Sequence, residues 1–201
     1  MQSSNGNFEK INLPVFFGLS HLGQVFSLCW SKKIGNCYVF DNNKKVLNSF
    51  KERKYTLEEP NLNKLKSNNI KFLKKFEDIK NFKYIFFTHD TPLSIKNGKP
   101  ELNLIYQNLK KILNLKFQTK TYLIISSQIN PELIKNLKKK LIISKNIKIF
   151  YLVDTLKMGE SMDKFLNPNQ IIIGGEKKEK KNILKLFRKF KSKKYYISLD
   201  E

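Results

Sequence analysis

The sequence has few of the residues from which metal sites, disulfides and nucleophilic centres are built. It holds only two cysteines and two histidines among 201 residues. Cys29 and Cys37 lie inside apolar runs, without C-x-x-C spacing and without a neighbouring histidine. These features argue against a disulfide framework and a zinc site, so we expect no bound metal and two buried thiols.

Long hydrophobic runs and a targeting signal are also lacking. No apolar run approaches the roughly 20 residues that span a bilayer. The N-terminal segment M-Q-S-S-N-G-N-F-E-K lacks the charged and apolar parts of a secretory signal. We therefore expect a cytoplasmic protein with no membrane contact.

Positive charge is abundant, but arginine is not. The formal net charge is +22, and Arg53 and Arg188 are the only arginines, so lysine supplies nearly all of it. Because arginine is the usual residue for bidentate phosphate and base contacts, we favour an AT-rich genome over nucleic-acid binding as the cause. A lysine-rich nucleic-acid binder stays open as a weaker alternative.

The pattern of short apolar runs and longer lysine-studded stretches predicts a single α/β domain over residues 1–201. A hydrophobic content of 40% is enough for one sizeable core, and this alternation is typical of a parallel sheet covered by helices. The predicted strands are Ile11–Phe17, Cys37–Phe40, Tyr84–Thr88, Tyr122–Ser126, Ile147–Val153, Ile171–Gly175 and a terminal Y-Y-I-S-L. The predicted helices are Leu22–Lys33, Lys44–Lys51, Leu102–Leu113, one opening at Pro131–Leu137, and a basic helix over Lys177–Phe190.

The segment G-L-S-H-L-G follows the first predicted strand and resembles a dinucleotide-binding loop. Gly18 can supply the tight turn and Gly23 the close helix–strand contact, whereas Ser20 stands where the middle glycine would let the backbone approach a pyrophosphate. Asp41 follows the second strand at the spacing of the acid that binds ribose hydroxyls. This order favours NAD over NADP and a Rossmann-type, doubly wound fold with a mostly parallel sheet and helices on both faces. The alternative is an ordinary glycine-rich turn.

Five motifs resemble one family. F-F-G-L-S-H-L-G resembles the first strand and loop of the nucleotide-sugar dehydrogenases, the UDP-glucose/GDP-mannose dehydrogenase family. L-E-E-P-N-L-N-K-L is similar to their E-P-G-L-x-x-L, and T-H-D-T-P-L-S-I-K-N-G-K-P-E-L to their G-T-P-x-x-x-x-G-x-P-D-L. S-S-Q-I-N-P-E stands in the place of S-T-V-P-P-G, and L-K-M-G-E-S-M-D-K-F-L-N-P-N-Q-I-I-I-G-G resembles L-R-E-G-x-A-x-x-D-F-L-x-P-x-R-I-V-I-G. The resemblance extends from Ile11 to Gly175.

The resemblance implies an NAD-dependent oxidation of a nucleotide sugar, with a UDP-sugar favoured, from its C6 alcohol to a uronate. In the family, a cysteine in a G-F-G-G-x-C-x-x-K-D segment traps the aldehyde covalently. This sequence has no such segment, so we expect an NAD-binding domain without the family's central dimerisation and C-terminal domains. It would be inactive alone unless a partner chain supplied them. The alternative is a degenerate, non-enzymatic relative that binds a nucleotide or a protein.

Site residues are implied by the same motifs. The expected cofactor-binding residues are Gly18, Ser20, His21, Leu22, Gly23, Asp41, Lys45, Thr91, Pro92, Gln128 and Met158. Asp154 falls at the place of a family glutamate that acts in catalysis, although a carboxylate that only caps the next turn is an alternative. His89 and Asp90 replace small residues before the T-P pair, and a carboxylate beside a pyrophosphate is electrostatically unfavourable.

Overall fold

One mixed sheet of eight strands forms the centre of the molecule. The computed structural model describes residues 12–55, 59–140 and 144–198. The strand order is β3-β2-β1-β4-β5-β6-β7-β8. The first six strands in this order are parallel to one another, β7 is antiparallel to β6, and β8 is parallel to β7. The strands are β1 Pro14–Phe17, β2 Cys37–Phe40, β3 Ile70–Phe72, β4 Tyr84–Phe87, β5 Thr121–Ile125, β6 Ile147–Leu152, β7 Gln170–Gly174 and β8 Lys193–Ile197. The predicted Ile11 lies outside the described residues.

The central strands are apolar along their whole length because both faces of the sheet are covered. All four residues of β1 are buried, and they alternate between the faces as a period of two requires. Phe16 joins one hydrophobic cluster, whereas Val15 and Phe17 join the other. Pro14 is the first residue of β1, the position in a strand that tolerates a residue without an N–H donor.

Helices pack on both faces of the sheet, which confirms the doubly wound fold. They are α1 His21–Lys33, α2 Lys44–Lys51, α3 Asn103–Leu113, α4 Pro131–Lys140, α5 Ser161–Leu166 and α6 Lys180–Leu184. Short 3₁₀ turns span Leu62–Lys64, Phe76–Asn81, Lys177–Glu179 and Lys185–Phe187. Helix α1 is buried continuously from Leu22 to Ser31, because it packs on the sheet and also contacts α5 through the Phe26 and Phe165 rings.

Three elements differ from the sequence prediction. Strand β3 was not predicted, because it is three residues long with an exposed Lys71 in its middle. Helix α5, of six residues, was not predicted either. The continuous basic helix over Lys177–Phe190 was wrong, because this stretch divides into two 3₁₀ turns around α6. Lysines on adjacent turns repel one another, and the buried Glu179 is fixed by a hydrogen bond from Tyr122.

The chain order places a crevice at the carboxyl ends of β1 and β4. From β1 the chain builds outward through β2 and β3, and then crosses back to add β4 on the other side of β1. In open α/β sheets such a switch point is where ligands bind. Among the described residues, no helix is long and apolar enough to cross a membrane.

Candidate functional site

The glycine loop joins β1 to α1 through a very close contact. Gly18 has a φ of +102°, a region that glycine adopts without strain. A Cβ on Gly23 would lie 1.7 Å from the carbonyl oxygen of Gly18, so only glycine lets α1 begin so near the strand. The two expected glycine roles, the turn and the close approach, are therefore both present.

Asp41 lies against this loop from the end of β2. Its Oδ2 accepts a hydrogen bond from the backbone N–H of Leu19 at 2.7 Å, and its Oδ1 accepts one from Asn43 at 2.7 Å. The residue is only 9% exposed. The acid expected for ribose is thus held beside the glycine turn, and Lys45, in the first turn of α2, is exposed nearby in the chain.

Ser20 and Asp90 connect the start of α1 to the end of β4. Ser20 keeps a φ of −66°, which a non-glycine residue adopts freely. Its hydroxyl donates to the carbonyl of Thr88 at 3.2 Å and accepts from the backbone N–H of Asp90 at 2.8 Å. The Asp90 carboxylate in turn accepts from the N–H groups of His21 at 2.8 Å and Leu22 at 3.2 Å. The chain's own carboxylate therefore holds two of the free N–H groups at the helix N-terminus.

A second chain of contacts crosses the ends of β4, β5 and β6. The Thr91 hydroxyl donates to the Gln128 carbonyl at 2.7 Å, and Gln128 Nε2 donates to Asp154 Oδ2 at 3.4 Å. Asp154 Oδ1 also accepts a hydrogen bond from the N–H of Leu156 at 2.9 Å. This oxygen therefore caps the next turn, as the alternative interpretation of Asp154 expects. Burial raises the pKa of this carboxyl above its ordinary value. Thr91, Gln128 and Asp154 are brought together, and the exposed Pro92 follows directly.

The Glu59 carboxylate links two of the sequence motifs to each other and to the first residue of α1. Its carboxylate accepts hydrogen bonds from His21 Nε2 at 2.8 Å, Ser161 Oγ at 2.8 Å and the N–H of Gly159 at 3.0 Å. Burial acts to raise the pKa of Glu59, but the hydrogen bonds from Ser161, Gly159 and His21 together lower it. The E-E-P segment is thereby tied to the K-M-G-E-S segment, in which Met158 is 70% exposed. Both motifs are recognisable in the sequence, but nothing in the sequence shows that the Glu59 carboxylate links them.

His89 is a buried packing residue in the described structure. Burial lowers its pKa to about 4, although the carboxylates of Asp41 and Asp90 act in the opposite direction. Its ring packs edge-on against Phe17, and its Nε2 lies 3.3 Å from Nδ2 of Asn108. This neutral and enclosed imidazole packs directly behind the glycine loop, where a Cβ on Gly18 would lie 2.8 Å from the ring.

The crevice has two chemically different parts. Asp41 presents a carboxylate of the kind that accepts hydrogen bonds from ribose hydroxyls, beside the turn that Gly18 and Gly23 form. Beyond Asp41 a groove of about 440 Å³ opens, within the usual volume of ligand pockets, and it is lined by Asn42, Phe76, Glu77, Lys111, Asn114 and Leu115. At the N-terminus of α1, by contrast, the Asp90 carboxylate already occupies the N–H groups of His21 and Leu22. No group of three or more metal-ligating side chains occurs among the described residues.

Comparisons with known proteins identify the family of the chain. The sequence model of the UDP-glucose/GDP-mannose dehydrogenase family, NAD binding domain, matches residues 13–191. A UDP-glucose 6-dehydrogenase of Rickettsia bellii (strain RML369-C) is 27% identical over 180 residues, which cover 85% of this chain and 40% of that protein.

Solved structures show the same fold. A UDP-glucose dehydrogenase from the archaeon Pyrobaculum islandicum superposes with a TM-score of 0.78 at 14% identity, covering 98% of this chain and 48% of that one. A GDP-mannose dehydrogenase from Pseudomonas aeruginosa gives a TM-score of 0.77 at 17% identity, covering 92% and 46%. The chain spans less than half the length of these relatives. It belongs to the UDP-glucose/GDP-mannose dehydrogenase family and corresponds to that family's NAD binding domain.

Proposed function

We propose that this chain holds NAD at the carboxyl ends of β1, β2 and β4, as the cofactor-binding part of a nucleotide-sugar dehydrogenase. The observation that carries the proposal is the buried Asp41 carboxylate, fixed against the glycine loop by the N–H of Leu19 at 2.7 Å. An acid in this place accepts hydrogen bonds from ribose hydroxyls and repels a 2′-phosphate. Bound NAD would supply the acceptor for a hydride from the sugar alcohol.

The other expected site residues are assigned by their positions along the crevice. The N–H groups of His21 and Leu22, beside Ser20, would face the diphosphate, because a helix N-terminus favours anions. Thr91, Pro92, Gln128 and Met158 lie on the loops after β4, β5 and β6 and would border the nicotinamide half. Lys45 stands close to the place of the family's basic residue after the ribose acid and would approach the adenosine half.

These 201 residues are proposed to turn over little or no substrate by themselves. Covalent trapping of an aldehyde needs a reactive thiolate, and the two cysteines of the sequence are both buried and free. Burial raises the pKa of Cys29 to about 12, and it also raises that of Cys37. A nucleophile from a C-terminal half, in the same protein or in a partner chain, would complete a two-step oxidation of a UDP-sugar.

The exposed apolar residues near the site support contact with such a half. Leu93, Ile95 and Leu104 follow the T-P pair and are exposed, as is Met158 on the loop after β6. Asp154 would then act as an acid or base toward the substrate, since burial raises the pKa of its carboxyl and so favours the protonated form more than in an exposed aspartate. The cytoplasmic location remains a prediction.

A second candidate function is a degenerate relative that has lost tight cofactor binding. One observation favours it: the carboxylate of Asp90 rests on the N–H groups that a diphosphate would need. In that case the chain would keep the family fold and bind a nucleotide weakly or a protein partner instead.

Calorimetric titration with NAD and NADP tests the first proposal. We expect NADP to bind at least about tenfold more weakly than NAD, because Asp41 repels the 2′-phosphate. Asp41→Asn should reduce the ratio of the NADP and NAD dissociation constants. Asp163→Asn makes the same change at an exposed position on α5 and should leave this ratio unchanged. A ratio that Asp41→Asn leaves unchanged would remove Asp41 from the site. No binding of NAD, ADP or adenosine at millimolar concentration would overturn the proposed function.

A further inference from the structure

Asp90 is bound to helix α1 in the way an anionic ligand would be. Its two carboxylate oxygens accept hydrogen bonds from consecutive backbone N–H groups, His21 at 2.8 Å and Leu22 at 3.2 Å. These donors point out of the N-terminus of a helix of 13 residues, where the helix dipole stabilises negative charge. The contact joins residues that lie 69 and 68 positions apart in the chain.

The backbone around Asp90 is fixed by contacts of its own, whereas the hydrogen bonds to α1 are made by a partly exposed side chain. Thr88, two residues earlier, is fully buried, and its hydroxyl donates to the Gly18 carbonyl at 2.8 Å. The Asp90 N–H donates to Ser20 Oγ at 2.8 Å. The residue itself is only partly buried, so rotation of the side chain toward water breaks the two bonds to α1 and leaves the backbone contacts in place.

A diphosphate needs the same donors. The pyrophosphate of a dinucleotide sits at the N-terminus of the helix that follows the first strand, and α1 is that helix. Two anions cannot share two N–H groups, and a carboxylate left a few ångströms from a phosphate would repel it. Binding of a diphosphate therefore requires Asp90 to leave α1.

We propose that Asp90 is an intramolecular competitor for the diphosphate part of the cofactor and thereby sets the affinity of the site. This inference rests on the proposed function, since it assumes that the crevice takes a nucleotide. This competition would make the site select between ligands with and without a diphosphate. Nucleosides, which make no demand on α1, bind without displacing Asp90, whereas NAD and ADP bind only after its displacement.

The magnitude follows from the worth of a helix cap. Removing an N-cap side chain costs an amount equivalent to roughly 2- to 30-fold in an equilibrium constant. Displacing Asp90 should weaken diphosphate binding by a factor in this range, and repulsion between the anions adds to it. We therefore expect a gain of about tenfold in affinity for NAD when the charge is removed.

The test uses Asp90→Asn, which removes the charge and keeps one acceptor oxygen, and Asp90→Ser, which removes the charge and shortens the side chain. Asp163→Asn is the control for the same change in charge. Dissociation constants for NAD, ADP and adenosine are measured by calorimetry on the 201-residue chain, and the ligand-free proteins are unfolded in urea. Both Asp90 variants should bind NAD and ADP about tenfold more tightly than wild type, with adenosine changed less than about twofold. Asp90→Asn should be slightly less stable without ligand, because its amide has one acceptor oxygen for the two N–H groups and lacks the negative charge that the N-terminus of α1 stabilises.

The outcomes separate the two proposals. Equal or weaker binding of NAD by both Asp90 variants, with adenosine still bound, would overturn the competitor role and leave the proposed function standing. Equal gains for adenosine and NAD would also overturn it, because the effect would not be confined to the diphosphate. If neither wild type nor the variants bound NAD, ADP or adenosine, the proposed function would be overturned, and this inference with it.

Discussion

Replacing Gly23 by alanine sets two physical effects of opposite sign against each other. Alanine in a helix interior is favoured over glycine by about 1 kcal/mol, so propensity alone predicts a more stable protein. The added Cβ, however, would lie 1.7 Å from the Gly18 carbonyl oxygen, about 1.3 Å closer than the 3.0 Å below which real Cβ contacts essentially never occur. The obstacle is backbone, and it cannot rotate away as a flexible side chain would.

The steric effect should dominate. Overpacking usually costs about 1 to 3 kcal/mol, and a backbone obstacle places this site at the upper end. We expect Gly23→Ala to lose about 3 kcal/mol in free energy of unfolding, or roughly 6 to 12 °C in Tm for a chain of this size. Gly98→Ala is the control, because its Cβ meets nothing within 4 Å and only the φ of +65° is unfavourable; its cost should be about 1 kcal/mol.

Urea unfolding followed by tryptophan fluorescence measures both variants. Trp30 is the single tryptophan of the sequence, lies on α1 and is 2% exposed, so it reports on the helix that the substitution displaces. Equal or greater stability of Gly23→Ala would refute the reasoning, since α1 could not then begin in contact with Gly18.

Two further predictions concern ionisable groups away from the crevice. A hydrogen bond from Lys120, with others from Asn182 and Tyr122, lowers the pKa of Glu179 from 4.5 to about 2. Because the folded pKa is the lower one, the stabilisation is complete above pH 4.5 and is lost as the pH falls toward 2. Urea unfolding at pH 7 and pH 3 should show wild type losing about 1 kcal/mol more than Glu179→Gln, because the full pKa difference corresponds to a loss of about 2 kcal/mol by pH 3 and water screens the half-exposed Lys120; equal losses would contradict it. Cys29 and Cys37 are buried thiols with raised pKa values, so iodoacetamide at pH 8 should label neither in the folded protein and both in urea, as mass spectrometry can follow. Rapid labelling of the folded protein would show that a thiolate is accessible.

Most of the fold could be predicted because its signals are local. The central strands are continuous apolar runs such as C-Y-V-F, all four residues of which are buried, and helix α3 places Ile105, Leu109 and Ile112 on one buried side. The glycine loop and Asp41 were also recognisable, since their spacing along the chain reflects one strand–helix–strand unit. Strand β3 was not, because its short I-K-F sequence is stabilised mainly by pairing with β2.

The sequence proposes residues for the candidate site, and these stay a prediction, but it does not reveal the contacts between them. The sequence indicates that a carboxylate at Asp90 is unfavourable beside a pyrophosphate. It does not predict the hydrogen bonds of Asp90 with His21 and Leu22, because these depend on how the loop after β4 meets α1. The role of Glu59 was hidden for the same reason, because its partner Ser161 is 102 residues away in sequence. Such long-range polar contacts leave no periodic trace in a sequence.

The alternation of side chains along β1 has a practical consequence for redesigning the protein. Phe16 and Phe17 are neighbours in the chain, but they belong to clusters on opposite faces of the sheet. Substitutions that share no packing partners tend to contribute additively. The α3 face can therefore be redesigned in combinatorial libraries while the face that supports α1 keeps its native packing.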